Sequence, residues 1–507
     1  MNVRLWWVLV FSFSAAAAEG GATRCLPCHA GIVASWQRTG MGRSILSPAA
    51  LPRGSFYHRA SNRHYAVERG VVRRYQLDAD RAEINPMAMR VDFLIGSGNH
   101  AITPAHRSAK GKLVELPVSW YAEEKGWAMS PGYDRPDHQD FRRTITAECL
   151  FCHTAYPASG QSIPGAIDCG RCHGKSEEHL RKPGRGTILN PARLPEARQL
   201  DICLQCHLET ASSGFPDSLR KPGREVYSFQ PGEKLTEYKA YFDRSGDTDR
   251  LDINHAGYRL LQSACFRGSG GKMTCTTCHD PHSAQAKNTC RSCHASLASD
   301  HAGGTTGCAG CHMPARRTED AIHVRMTDHK IARRPATREP ERENHTPYAG
   351  DIVMFQEWAD APALAQAEAL HQARLKGTPE AWGKTPPSAA SLASQGDALM
   401  RAGRYGEAIP VLRRVLKLDP GQVTALNALA IYEGLQGRPQ AALRLLERAR
   451  DADPGHPLTW INLGVSYEAL GNPRQALASY GEAVRLQPDS EQARGRRRTL
   501  MESGALR

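Results

Sequence analysis

Cys275-Thr276-Thr277-Cys278-His279-Asp280-Pro281-His282 is the stretch on which the reading of this chain turns. Two thiols sit three positions apart, and an imidazole follows the second directly. The same pentad recurs as Cys25-Leu-Pro-Cys28-His29, Cys149-Leu-Phe-Cys152-His153, Cys169-Gly-Arg-Cys172-His173, Cys203-Leu-Gln-Cys206-His207, Cys290-Arg-Ser-Cys293-His294 and Cys308-Ala-Gly-Cys311-His312. Of the 15 cysteines only Cys265 is left over. In Ala264-Cys265-Phe266 it reads as a small buried apolar residue, with an intermolecular disulfide as the alternative.

Each pentad is the attachment sequence of a c-type haem: the thiols add to the two vinyl groups and the adjacent His ligates the iron from one face. Zinc knuckles and disulfides also use paired cysteines, but neither needs His immediately after the second one. The expected cofactor is therefore seven covalently bound haem c. Proximal ligands would be His29, His153, His173, His207, His279, His294 and His312.

A haem with protein ligands on both faces shuttles electrons, whereas one with an open face can convert a substrate. The spare histidines decide between these. Before residue 350 they are His58, His64, His100, His106, His138, His179, His255, His282, His301, His323, His329 and His345, enough to saturate seven irons. His282 follows His279 by three residues, and His179 lies just after the third pentad. His301 lies between the sixth and seventh, and His323 and His329 follow the last. These five are the leading distal candidates, and His255, His100 and His138 complete the set.

The run 274–282, the Cys311-His312-Met313-Pro314 ending and the Thr327-Asp328-His329 tail resemble the multihaem cytochrome superfamily that includes cytochrome c nitrite reductase and hydroxylamine oxidoreductase. More closely, they are similar to bacterial members fused to tetratricopeptide repeats. The resemblance covers most of residues 24–335 and, separately, 389–490. It implies closely spaced haems, mostly with two His ligands, carrying electrons in the periplasm. One departure matters: nitrite reductases commonly carry Lys in place of the catalytic haem's proximal His, and every pentad here ends in His. Electron transfer is therefore the leading function. The alternatives are an oxidoreductase acting on a small inorganic nitrogen or sulfur compound at one open haem face, and a scaffold for a respiratory complex.

The start of the chain agrees with export. Arg4 precedes an apolar run over 5–13 and the small residues Ala16-Ala17-Ala18, the pattern of a cleaved signal peptide over 1–18. The run is shorter than the roughly 20 residues that span a bilayer. A periplasmic or outer-surface location follows, with membrane contact peripheral at most. The formal charge of +13 would ordinarily point to nucleic acid. Propionates on seven haems would offset it almost completely, so no nucleic-acid partner is expected.

The fold class expected is mainly α: a haem-packed cytochrome over 19–350 with irregular connections and a β-rich insertion near 54–133, then a repeat solenoid. The insertion is read from strand-like stretches such as Arg63-His64-Tyr65-Ala66-Val67. Its Trp120, Tyr121, Trp127 and Tyr133 read as packing residues. Residues 351–385 read as a helical linker. From there Gly403, Gly437 and Gly471, Ala408, Ala442 and Ala476, and Pro420, Pro454 and Pro488 each recur at a period of 34. That is the tetratricopeptide period, giving three repeats over 386–490 and a basic helix or tail over 491–507. Such stacks commonly receive a peptide or protein, so the partners expected are redox proteins and a ligand of the repeats.

Thioether bonds survive acid and organic solvent, so intact mass spectrometry of the denatured exported chain is expected to show seven haem additions. A mass equal to the bare polypeptide would overturn the cofactor assignment.

Overall fold

The computed structural model describes residues 21–157, 165–208, 218–246, 249–287, 289–295, 307–343, 345–355 and 360–503. The expected signal peptide and His301 lie outside these residues.

The β-rich region is built from two antiparallel sheets. Strands Gly54–His58, Arg63–Glu68, Val71–Leu77 and Glu83–Arg90 form a four-stranded meander. In Arg63–Glu68 alternate residues are buried, as a sheet with one face on the core requires. The second sheet runs in the order Ile45–Leu46, Phe93–Ile95, Ala101–Arg107, Val118–Tyr121, Gly126–Met129, with Leu113–Glu115 paired to Ala101–Arg107. Tyr65, Val67, Val72, Leu94, Leu116, Val118, Trp127 and Met129 interlock between them. Tyr121 and Tyr133 are also buried.

The cysteine-rich part consists of short helices joined by irregular chain. It has a polypeptide core of its own, in which Phe151, Leu204, Phe229, Tyr238, Tyr258 and Phe355 pack together with Cys152, Cys206 and Cys275 at the edge. The segment expected as a helical linker begins differently. Ile352–Met354 is a strand paired with Lys239–Arg244, and the helix starts only at Ala361. Ile352 packs with Ala240 and Phe242, and Phe355 with Tyr238 and Tyr258, so burial draws this stretch into the sheet.

The C-terminal part is three helix pairs: Ala389–Arg401 with Tyr405–Leu418, Val423–Leu435 with Pro439–Ala452, and Pro457–Ala469 with Pro473–Leu486. Glu491–Glu502 closes the stack and buries Ala493 and Leu500. The 34-residue period has a local cause, because Gly403, Gly437 and Gly471 all turn between paired helices at φ 72°, 67° and 72°. Gly464 permits the closest approach within a pair, since a Cβ there would lie 2.3 Å from the Tyr480 ring.

The stack is docked on the β region through a buried carboxylate. Asp140 accepts from Arg63 Nη1 (2.7 Å), Arg74 Nε (2.9 Å) and the Tyr65 hydroxyl (2.6 Å), and His138 Nε2 lies 3.0 Å away. Both arginines then reach into the last repeat. Arg63 pairs with Asp489 at 2.6 Å, and Arg74 Nη2 donates to the Arg485 carbonyl at 3.0 Å, at the C-terminal end of its helix. Burial alone would raise the Asp140 carboxyl, but His138 and the two guanidiniums outweigh it and hold the group well below the usual carboxylate range. A second contact joins Lys112 and Arg142 to Asp453, at 3.5 and 3.6 Å.

Asp140→Asn leaves two buried guanidiniums short of their counter-charge. It is expected to lower the unfolding free energy by about 3–5 kcal/mol in guanidinium titrations, whereas Asp489→Asn, at the partly exposed end, costs about 1 kcal/mol or less. Acid is expected to weaken the second contact. Burial and then the charges of Arg142 and Lys112 bring His456 down to about 4. A His held below its unfolded value stabilises fully above that value and loses the contribution as pH falls toward its folded pKa. The unfolding midpoint should therefore drop between pH 6.5 and about 4, and His456→Gln should flatten that slope.

Candidate functional site

In six of the seven pentads the thiols and the imidazole are carried on one tight helical turn. Ala147–His153, Gly170–His173, Glu196–His207 and Cys308–His312 are helices that end at the pentad histidine. Cys290–Cys293 and Cys275–Thr277 end just short of it. The turn is closed by bonds from the histidine amide to the first cysteine carbonyl, 2.9 Å at His173 and His279 and 3.0 Å at His294. Residues i, i+3 and i+4 of such a turn share one face, so both sulfurs and the ring point the same way. In the first pentad His29 departs from helical geometry (φ −121°, ψ 36°) within Leu26–Trp36.

Three pentad imidazoles each face a spare one from a distant part of the chain. The ring centroids of His29 and His179 are 6.3 Å apart, those of His173 and His282 6.0 Å, and those of His279 and His329 6.1 Å. Two imidazole nitrogens each about 2.0 Å from one metal ion place the ring centres about 6.3 Å apart. The planes are inclined by only 19°, 15° and 31°.

The hydrogen bonds also set the tautomer. His173 Nδ1 donates to the Leu189 carbonyl (2.9 Å), His329 Nδ1 to that of Thr327 (2.9 Å) and His312 Nδ1 to that of Ala332 (2.8 Å). The Thr187 hydroxyl donates to the Gly184 carbonyl, so it accepts from His179 Nδ1 at 3.0 Å. In each ring Nε2 is left with its lone pair, the arrangement of a metal-ligating histidine. Burial holds His153, His173, His207 and His329 below the ordinary value, which favours the neutral, ligating form.

The other distal candidates are placed differently. His138 is buried in the Asp140 network, with Nδ1 on the Arg135 carbonyl and Nε2 2.8 Å from the Tyr65 hydroxyl. His323 bonds Glu124 at 2.9 Å and packs on Tyr121. His100 is exposed beside strand Ala101–Arg107. His255 is fully buried, its Nδ1 accepting from the Asp252 amide, and its Nε2 has no hydrogen-bond partner.

All fifteen thiols are free of disulfides. Thiols of different pentads nevertheless lie near enough to perturb one another's ionisation: Cys25 and Cys169, Cys152 and Cys206, Cys203 and Cys275, and Cys290 and Cys308. These contacts group the first pentad with the third, the second with the fourth and fifth, and the sixth with the seventh. The hydrogen bond from Cys152, assisted by the Arg171 charge against the effect of burial, brings Cys206 down to about 7.

Sequence reasoning missed Arg171, the variable residue of the third pentad. Its guanidinium lies 4.2 Å from the Phe151 ring centre and 4.6 Å from that of Tyr156, with Nη1 buried and unpartnered. Nothing in a pentad's spacing signals such a role.

The donor set fits haem better than a protein-only metal site. Among the described residues no three His, Cys, Asp or Glu side chains converge on one point, which structural zinc would need. The rings come in twos, beside paired thiols. Arg171 Nη1 is a buried polar atom in this region with no hydrogen-bond partner in the polypeptide. Among the described residues no helix is long and apolar enough to cross a membrane.

Comparison with known proteins finds tetratricopeptide-repeat family models over residues 394–457 and 435–498. The C-terminal helix pairs are thus a tetratricopeptide-repeat module. No curated protein matches the chain. Similar solved structures include the first TPR of Spaghetti (RPAP3) bound to the HSP90 peptide SRMEEVD, at 19% identity over 23% of this chain and 91% of that chain, TM-score 0.22. They also include the Sgt2 TPR domain from Aspergillus fumigatus, at 22% identity over 23% of this chain and 80% of that chain, TM-score 0.22. MamA is similar at 23% identity over 27% of this chain and 85% of that chain, TM-score 0.24.

Proposed function

We propose that this chain is an exported multihaem cytochrome c that carries seven haems, passes electrons among them, and uses its repeat module to engage a protein or peptide partner. The observation that carries the reading is the facing of His29, His173 and His279 by His179, His282 and His329 at 6.0–6.3 Å. Each pair joins a pentad histidine to a spare one, and each spacing suits one iron between two imidazoles.

When bound, haem supplies a one-electron couple at each iron. The protein's part is anchorage, ligation and exclusion. The pentad cysteines tie each group to its turn through two thioethers. The paired imidazoles would hold an iron between them, which would leave that iron no open site for a small molecule. Carbonyl acceptors on Nδ1 raise the basicity of the ligating nitrogen. The four inter-pentad thiol contacts place neighbouring attachment turns against one another, the proximity that electron transfer between haems requires.

The repeats bring a partner alongside the electron-carrying part rather than on a free tether, because Asp140, Asp453 and Asp489 hold the stack to the β region. Export to the periplasm accords with the apolar leader, since haem c is attached outside the bacterial cytoplasm.

Carbon monoxide binds reduced haem only where an axial position is open. The reduced holoprotein is expected to respond little to it, with a low-spin spectrum when oxidised. His282→Ala should create one carbon-monoxide-binding iron, at the haem tied to Cys169 and Cys172, and leave the haem count unchanged. A full equivalent of binding in the unaltered protein would favour the small-molecule oxidoreductase instead. A His282→Ala variant with the parent's spectrum would remove this pairing.

A further inference from the structure

Asp328-His329 directly follows the short hairpin of Ala315–Arg317 and Arg325–Thr327, which begins three residues after the seventh pentad. The Asp328 amide continues the hairpin by donating to the Pro314 carbonyl at 3.0 Å. Its carboxylate is buried, at 2% exposure, and is gripped from two other elements. Arg259, on helix Ala256–Gln262, donates through Nε (2.8 Å) and Nη2 (2.6 Å), and Arg316 donates through Nη1 (2.8 Å). Both guanidiniums are themselves buried, and both also reach Asp249, at 3.2 and 3.4 Å.

The same carboxylate wraps the chain around the next residue. Its Oδ1 accepts from the Lys330 amide at 2.9 Å, closing a tight turn with His329 at its centre. His329 Nδ1 donates to the Thr327 carbonyl on the other side. The imidazole is thus fixed at both flanks, and its ring stands 6.1 Å from that of His279.

A buried carboxylate with two guanidiniums is costly to desolvate and is weak evidence of stabilisation in itself. What it supplies is position. A ligand must be held to within about 0.5 Å of its productive place by groups that are themselves locked. Here the locked group is the neighbour of the ligand in sequence, and its clamps lie 69 and 12 residues away along the chain.

We infer that Asp328, clamped by Arg259 and Arg316, is the positioning residue that presents His329 to the iron shared with His279. This rests on the haem reading of that pair. The carboxylate touches neither ring and acts only by fixing the turn.

The test uses the full-length holoprotein and compares Asp328→Asn, Arg316→Lys, His329→Ala and the double variant Asp328→Asn/His329→Ala. Haem count is read by mass, spin state by the visible and paramagnetic resonance spectra, and open irons by carbon monoxide titration. Asp328→Asn is expected to keep all its haems yet turn part of one iron high-spin, with carbon monoxide binding rising from near zero toward one equivalent. Arg316→Lys should give the same signature more weakly. The double variant should bind no more carbon monoxide than His329→Ala alone, because both changes act on the same iron.

If Asp328→Asn shifts only the unfolding midpoint and its spectra stay those of the parent, Asp328 is a fold staple and the inference is overturned. If Asp328→Asn does not accumulate, Arg316→Lys decides by the same criterion. If His329→Ala leaves the spectra unchanged, it is the ligand assignment that fails, which separates that failure from the failure of the clamp.

Discussion

The Asp140 carboxylate is the point on which the arrangement of this molecule depends. Four side chains from the β region converge on it: Arg63, Arg74, Tyr65 and His138. A lone carboxylate so deep would take up a proton or unfold its surroundings. Surrounded in this way it stays charged, and the two arginines have donors left over. Arg63 Nη2 and Arg74 Nη2 are met at the end of the stack, by Asp489 and by the carbonyls of Arg485 and Leu486. These contacts fix the end of the solenoid against the β region.

That orientation has a consequence for the cysteine-rich part. Asp140 and Arg142 lie a few residues before the second pentad, and Arg142 is itself paired with Asp453 between the second and third repeats. The chain therefore passes from the docking surface directly into helix Ala147–His153. On the proposed function, a partner held by the repeats would sit a short stretch of backbone from an electron-carrying group.

The paired imidazoles express a different economy. His29 faces a residue that follows the third pentad, His173 one that follows the fifth, and His279 one that follows the seventh. Segments far apart in sequence are brought close, yet the rings of each pair stand at the separation an intervening iron requires. On the haem reading, ligation would cross-link segments far apart in the chain, and their ordering would be coupled to attachment. The polypeptide core of Phe151, Tyr238 and Tyr258 would then serve as the frame on which the turns are set.

The sequence alone determined what period and local chemistry can carry. The 34-residue recurrence of Gly, Ala and Pro required helix pairs, because each position answers a local need: a left-handed turn, a close helix contact, a stop. The alternation around Tyr65 and Val67 marked a strand, and the pentad spacing put two thiols and an imidazole on one turn in six of its seven occurrences. Distal partners were legible only as a pool. His179, His282 and His329 could not be told from His323 by position in the chain, because what separates them is which remote segment folds opposite. Only the tertiary structure set His138 against Asp140, His323 against Glu124 and Tyr121, and His329 against His279. It also drew Ile352–Met354 out of a helical pattern into a sheet, and set Arg171 among aromatic rings. Each of these depends on contacts between residues far apart in the chain, and a one-dimensional pattern records only neighbours.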